Sequence, residues 1–306
     1  MADILIHEVG LRDGLQMEKQ VVPTDQKVQW VEQLMESGVD IIQLGSFVHP
    51  EKVPQMADTD ALFRRVGTKP RRGGVTFSGL VLNEKGLERG LQCGVELFCM
   101  GVSASETHSK KNTGKSIDES IASIVATAKK ALEAGKKVQV SVQSAFGCGY
   151  EGRVAQEQVM RIVARYLDAG LRNISLADTA GHATPDQVER MFSTILKLDG
   201  TVECACHFHN TYGLGLANVY AAMKVGVKSL ESSVAGLGGC PFTKIAGGNV
   251  CTEDLVHMMQ RMGLRCDLKL ENLIETAKDI SRFFGREMPG MVYKTGAITE
   301  KGATSS

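Results

Sequence analysis

His207 and His209 stand one residue apart in the segment "ECACHFHNTYG", at the end of a run that reads as a strand. Side chains on a strand alternate between its two faces, so these imidazoles share one face while Cys204, Cys206 and Phe208 share the other. The dense "CACHFH" cluster is therefore not a Cys-His zinc site, because strand geometry separates the two residue types. A His-x-His pair joined by a carboxylate and an amide oxygen makes a mixed nitrogen–oxygen set. Such a set suits an octahedral ion, Mg²⁺ or Mn²⁺, with positions left for substrate. The plainer alternative is that the two rings simply pack or hydrogen-bond in the wall of the fold.

Other chemistry-bearing residues are scattered along the chain. Arg12 and Asp13 lie between two glycines in "HEVGLRDGLQ", directly after the first apolar run. Cys240 occupies a glycine-rich loop, "GLGGCPF", with Asn249 nine residues further on. A free thiol with a pKa of about 8.5 is mostly protonated at neutral pH. It needs activation to act as a nucleophile but none to donate a proton to a carbanion, and burial as a small hydrophobe is the third option. "NTGKS" at 112–116 ends like a phosphate-binding P-loop, but Ser109 stands where that motif requires glycine. The segment reads instead as a helix lead-in on a loop. Lys110 and Lys111 are candidates for meeting a substrate's phosphates as point charges, or they form an ordinary solvated pair, and the adjoining Asn112 joins them as a substrate- or CoA-binding candidate.

For these residues to converge, the fold must bring distant strand ends together. Apolar runs at 3–8, 39–44, 73–78, 95–101, 137–144, 172–177, 202–208 and 227–233 alternate with helical patterns at 24–37, 83–92, 117–134, 155–169, 185–197 and 212–225. Strand followed by helix, repeated eight times in about 250 residues, predicts an α/β fold of the (β/α)₈ TIM-barrel type. Its chemistry collects at the carboxyl ends of the strands. Arg12-Asp13, Gln43, Asp178-Thr179, His207 and His209 all fall at such ends, and Cys240 and Asn249 lie beyond the eighth. A doubly wound sheet would show a glycine-rich nucleotide turn after its first strand, and "GLRDGLQ" is not one. Helical patterns at 252–262 and 269–285 add carboxyl-terminal helices, so residues 1–298 read as one catalytic barrel domain. The polar tail 299–306 reads as disordered. Thr24 and Asp25 are placed to cap the first helix and Gly38 to stop it, and Thr184-Pro185 and Thr211 precede later helices.

Composition narrows the function class. The 35 basic residues balance 35 acidic ones, and no Lys/Arg-rich run marks a nucleic-acid or membrane partner. No apolar stretch approaches the length of a membrane span, and the amino terminus lacks a secretory pattern, so a cytoplasmic location is expected. The eight cysteines show no C-x-x-C spacing and read as reduced packing residues.

Taken together, "EVGLRDGLQ", "GSFVHPEKVPQMAD", "SLADTAGHATP", "HFHNTYGLGLAN" and "SVAGLGGCPF…GGN…TEDLV" resemble the 3-hydroxy-3-methylglutaryl-CoA lyase family of metal-dependent TIM-barrel lyases, over residues 5–262. The cysteine loop is the most discriminating of these motifs, since the condensing synthases of the superfamily lack it. The resemblance implies cleavage of an acyl-CoA substrate, with Asp13, His207, His209 and Asn249 as ligands of a divalent ion. It implies Arg12 as stabiliser of the developing enolate, Asp13 or His207 as base at the 3-hydroxyl, and Cys240 as the proton donor to carbon. Asp178 and Gln43 would support this set, and the family's dimers or higher oligomers imply a homo-oligomer. Three positions depart from the family pattern. Gln43 stands for the usual Glu, Phe208 for Cys and Asn210 for Asp, which leaves the acyl substituent open among 3-hydroxy-3-alkylglutaryl groups. A condensing acyltransferase, or a metal- or acyl-CoA-binding protein disabled at Gln43, are the competing readings.

Overall fold

In the computed structural model, which describes residues 4–69, 74–239 and 248–298, each of the eight apolar runs becomes a strand of one closed parallel barrel. The strands are β1 (Leu5–Glu8), β2 (Ile41–Ser46), β3 (Thr76–Leu80), β4 (Leu97–Ser103), β5 (Lys137–Gln143), β6 (Asn173–Asp178), β7 (Glu203–Phe208) and β8 (Ser229–Ser232). β1 pairs with both β2 and β8, which closes the circle and leaves no edge strand. The TIM-barrel expectation holds. β1 and β8, at four residues each, are shorter than their apolar runs.

Helices α1 (Thr24–Ser37), α2 (Thr59–Gly67), α3 (Glu84–Gln92), α4 (Glu106–Thr113), α5 (Ile117–Glu133), α6 (Gln156–Asp168), α7 (Pro185–Leu198) and α8 (Gly215–Lys224) lie between the strands. After β8 come α9 (Thr252–Arg261), α10 (Leu270–Phe284) and α11 (Val292–Thr295). α10 packs across α1, where the Trp30 ring meets Phe283 edge-on at 5.4 Å and Trp30 Nε1 donates to Asp279 at 2.8 Å. Among the described residues no helix is long and apolar enough to cross a membrane.

Local signals decide the helix ends unevenly. Thr184 and Gln187 form a reciprocal capping box on α7 with Pro185 in the first turn, and Gly38 ends α1 in the left-handed conformation, as expected. Thr24 does not cap α1. It sits inside the helix and its hydroxyl donates to Asp58, while Pro23 precedes the helix. Thr211 is three residues too early to cap α8, which starts at Gly215 with Leu214 in the cap position. Three helices fall where no helix was expected, the one-turn α11 among them. α2 is short, with too few turns to show a period, and α4 runs through Lys110–Thr113 where the glycine of "NTGKS" suggested a loop. Gly114 ends α4 and Ser116 then caps α5, so only 114–116 is a helix lead-in. The tail 299–306, residue 3 of the first run and residue 73 of the third lie outside the described residues.

The wall has two unlike faces. Outward residues such as Ile42, Phe77, Phe98, Val140 and Phe208 are buried under the helices in one continuous apolar layer. Inside the barrel a separate small cluster of Ile41, Leu97 and Cys99, with Leu80 against it, provides the aliphatic filling. Most of the remaining inward positions are polar, including His7, Gln43, Ser78, Gln139, Ser175, His207 and Glu231.

Candidate functional site

The segment after β1 makes a single π-helical turn, Gly10–Gly14, in which the Val9 carbonyl accepts from the N–H of Asp13 at 2.8 Å. Wide turns of this kind recur at functional sites because they push side chains out of the helical row. Here the turn projects Arg12 and Asp13 over the barrel mouth. Gly14 allows it, since a β-carbon there would lie 2.6 Å from Leu237.

Three donor atoms converge at that mouth. Asp13 Oδ2 lies 3.7 Å from His207 Nε2 and 3.5 Å from His209 Nε2, and the two Nε2 atoms are 3.2 Å apart. Donors held about 2.1 Å from one cation on adjacent octahedral positions lie about 3 Å apart, so these spacings are close to those of a ligand set. His207 comes from β7. His209 lies just past its end, in an isolated bridge to Asn249 that keeps the His-x-His alternation going. Cys204, Cys206 and Phe208 face the outer layer, as alternation required. Asn249 donates from Nδ2 to Asp13 Oδ2 at 2.9 Å and to the Leu237 carbonyl at 3.0 Å, while its Oδ1 is buried without a hydrogen-bond partner. A buried amide that leaves its oxygen orphaned while its nitrogen touches a carboxylate flanked by two imidazoles fits a cation site better than a closed hydrogen-bond network.

Arg12 binds this set from the side. Its Nη1 donates to Asp13 Oδ1 and its Nε donates to Gln43 Oε1. Gln43 immediately precedes a register shift in β2, where Gln43 pairs with Ser78 and Gly45 with Gly79, and bulges of this kind re-aim neighbouring side chains. Burial raises the Asp13 carboxyl, but Arg12 and then the two histidines override this and hold it well below the usual carboxylate range. Asp13 is therefore ionised at neutral pH.

Glu231 is the residue that sequence reasoning missed. It sits on β8 in register with His207, and its Oε2 lies 3.0 Å from His207 Nδ1. Burial raises this carboxyl too, yet the hydrogen bond and charge of His207 carry it down to about 2. His207 is moved the opposite way: burial lowers it, and Glu231 and Asp13 raise it above its ordinary value. An inward glutamate in "KSLESS", at alternate spacing within a short strand, was the available signal.

The other expected residues divide. Asp178 accepts the backbone N–H groups of His182 and Ala183 at 2.8 and 3.0 Å, so it staples the loop after β6, and no described hydrogen bond joins it to the donor set. Lys111 and Asn112 line the cavity of about 340 Å³ above the barrel, with Lys111 Nζ 3.9 Å from the Tyr150 ring. Lys110 does not line it and pairs with Glu106 at 3.2 Å on the exposed side of α4. Cys240 lies outside the described residues. Gly239 lines the cavity, and Gly238, at φ +124°, passes so close to Asn249 that a β-carbon would fall 2.5 Å from Nδ2. That glycine lets the segment leading to Cys240 rest on a candidate ligand.

Comparison with known proteins agrees with this geometry. Residues 3–280 match the HMGL-like family model. The hydroxymethylglutaryl-CoA lyase of Bacillus subtilis is 38% identical over 94% of this chain and 95% of its own length. The human mitochondrial hydroxymethylglutaryl-CoA lyase is 37% identical over 94% of this chain and 88% of its own. An HMG-CoA lyase from Acinetobacter baumannii, solved in complex with coenzyme A and 3-methylmalate, superposes with a TM-score of 0.90 at 36% identity, covering 98% of this chain and 97% of that one.

Proposed function

The chain belongs to the HMGL-like family, and on that premise we propose that it is a divalent-metal-dependent carbon–carbon lyase. It cleaves 3-hydroxy-3-methylglutaryl-CoA, or a close 3-hydroxy-3-alkylglutaryl-CoA, to acetyl-CoA and the matching 3-keto acid, acetoacetate for the methyl compound. The observation that carries this reading is the convergence of Asp13 Oδ2 with the Nε2 atoms of His207 and His209, with Arg12 bonded to the other oxygen of the same carboxylate.

Asp13, His207, His209 and, through Oδ1, Asn249 would hold the ion, Mg²⁺ or Mn²⁺. When bound, it supplies Lewis-acid polarisation of the substrate's oxygens and a template that fixes them. Turning the Asn249 amide over about its terminal bond exchanges Oδ1 and Nδ2, which brings the oxygen to the side of Asp13. In the reaction the 3-hydroxyl gives up its proton, the C3–O bond becomes a carbonyl, the C2–C3 bond breaks, and its electron pair passes to the thioester as an enolate. Of the two expected bases, Asp13 and His207, the Asp13 carboxylate is the acceptor for that proton, because it keeps lone pairs when one oxygen is engaged, whereas an imidazole with Nδ1–H and an engaged Nε2 has none. Arg12 keeps guanidinium donors at the cavity lining for the enolate oxygen, and charge that appears only in the transition state is where such donors act most. Cys240 then protonates the enolate carbon from its thiol. In support, Gly239 beside it lines the same cavity. Gln43 orients Arg12 as a neutral acceptor, a task its carbonyl oxygen performs without the charge of a glutamate.

The test is a coupled assay for acetyl-CoA and acetoacetate with added Mg²⁺ or Mn²⁺. We expect turnover that chelation abolishes and either ion restores. No product with the methylglutaryl substrate, and none after Gln43→Glu, would sink this function.

A further inference from the structure

A histidine that must present one bare nitrogen to the site needs its proton held on the other. His207 Nε2 faces Asp13 and His209, so the ring proton has to reside on Nδ1. The only group hydrogen-bonded to Nδ1 among the described residues is Glu231 Oε2, at 3.0 Å. An ionised carboxylate accepts and cannot donate, so this contact requires Nδ1 to carry the proton. The carboxylate is itself pinned. Its other oxygen, Oε1, accepts from Gln139 Nε2 on β5 at 2.5 Å and from Ser175 Oγ on β6 at 2.9 Å. Both donors cross the barrel interior to one oxygen, which leaves Oε2 aimed at His207.

We propose that Glu231, held by Gln139 and Ser175, is a positioning residue that fixes the Nδ1–H tautomer of His207 and so keeps its Nε2 free to bind a divalent cation. A buried carboxylate behind a ligating imidazole orients the ring and raises its basicity, and loss of such a partner typically weakens metal binding by about 10- to 100-fold. The interior amide of Gln139 and hydroxyl of Ser175 are more than filling on this view. Without them the carboxylate has no fixed direction.

Glu231→Gln separates this from a purely structural role, because it keeps shape and volume. In that variant the amide oxygen stays with the donors Gln139 and Ser175, and the amide NH₂ faces Nδ1. Nδ1 must then accept, and the proton moves to Nε2, where it blocks a cation. The inference rests on the metal-site part of the reading above and is tested without substrate. Nitrogen chemical shifts of ¹⁵N-histidine protein, metal-free and on the alkaline side of the ring's titration, report the tautomer, with His207 assigned by its loss in His207→Asn. Binding of Mn²⁺ is followed by electron paramagnetic resonance. We expect Nδ1–H in the wild type, Nε2–H in Glu231→Gln, and Mn²⁺ affinity lower by about 10- to 100-fold in the variant. Ser175→Ala keeps the carboxylate, so it should keep the tautomer and lose less affinity. Wild-type His207 in the Nε2–H form would overturn the proposal even if Glu231→Gln fails to fold, and so would unchanged Mn²⁺ affinity in a folded Glu231→Gln. A wild type that binds Mn²⁺ with the expected tautomer but cleaves no methylglutaryl substrate would refute the reaction and leave this inference standing.

Discussion

The two faces of the barrel wall are made from alternate residues of the same strands, yet they are built for opposite ends. On β7, Cys204, Cys206 and Phe208 are buried in the outer apolar layer, while His207 between them faces a polar interior. On β8, Leu230 goes outward and Glu231 inward. Barrels of this class are usually filled by layers of branched aliphatic side chains. Here large aliphatic filling is confined to Ile41, Leu97 and Leu80 beside Cys99, and most of the rest of the interior is histidine, amide, hydroxyl and carboxylate. The outer layer holds the fold together, which frees the inner face to hold charges in place. One strand thereby serves stability and chemistry at adjacent residues.

Adjacent substitutions on β7 and just beyond it test this division most strongly. His209→Ala removes one of three convergent donors without touching the outer layer. It should lower kcat/KM by about 10³-fold or more, since Lewis-acid stabilisation is worth several kcal/mol, and leave Tm almost unchanged. Phe208→Ala should do the reverse. Phe208 is fully buried with its ring 5.7 Å from Phe146, so truncation costs about 3–5 kcal/mol of stability. Turnover at a temperature where that variant is folded should stay near the parent's. If both variants lose stability and activity in the same proportion, the two faces are not separable.

A polar seam in the outer layer sharpens the contrast. Glu8, the outward neighbour of His7, accepts the N–H groups of Gly10 and Val234 and the Thr252 hydroxyl. Glu253 accepts the N–H of Ala235 and leaves Oε1 without a hydrogen-bond partner. Burial raises Glu8 to about 7 and Glu253 to about 8 from the ordinary value of 4.5, whereas it lowers the inward His7 from 6.5 to about 4. The signs are opposite. Between pH 4.5 and about 8 the unfolded chain has lost the Glu253 proton while the folded chain keeps it, so that stabilisation falls as pH rises through the window. For His7 the stabilisation is full above 6.5 and is lost as pH falls toward 4. Glu253→Gln keeps a carbonyl acceptor and cannot ionise. Its Tm relative to the parent should climb from mildly acid to mildly alkaline solution, by an amount reflecting about 1.4 kcal/mol per pH unit at most. Parallel Tm profiles for the two proteins would show that the seam carries no such linkage.

How much of this was readable in advance follows the same division. The barrel was legible because the outer layer imposes an apolar run on every strand, and the His-x-His face followed from alternation alone. Arg12 and Asp13 were legible from their place after the first strand, though not the π-helical turn that aims them. Glu231 was not, because a single acid in a short strand has no period, and only closing β8 onto β7 and β1 brings it to His207. Asp178 shows the converse. A carboxylate at a strand end looks like chemistry, but its oxygens are taken up by the N–H groups of the loop that follows. α4 was misread because its polar sequence has almost no apolar face, and what holds it is the Ser105 cap rather than a buried stripe.

That helix supplies the smallest and most selective of the expected effects. Lys111 and Asn112 border the cavity, whereas Lys110, one residue away, is turned about 100° around α4 toward Glu106. If the mouth of the cavity receives the phosphate-bearing part of an acyl-CoA, Lys111 acts as a partly solvated point charge worth about 1 kcal/mol. Lys111→Ala should then raise KM roughly fivefold with kcat unchanged, the pattern of an interaction present equally in ground and transition states, and the effect should shrink as salt rises. Lys110→Ala should change neither constant. Equal KM effects from the two lysines would mean that the patch attracts substrate only as diffuse charge, and the cavity mouth would lose its claim to a built phosphate contact. A fall in kcat with Lys111→Ala would place that residue nearer the reacting atoms than its position beside the Tyr150 ring allows.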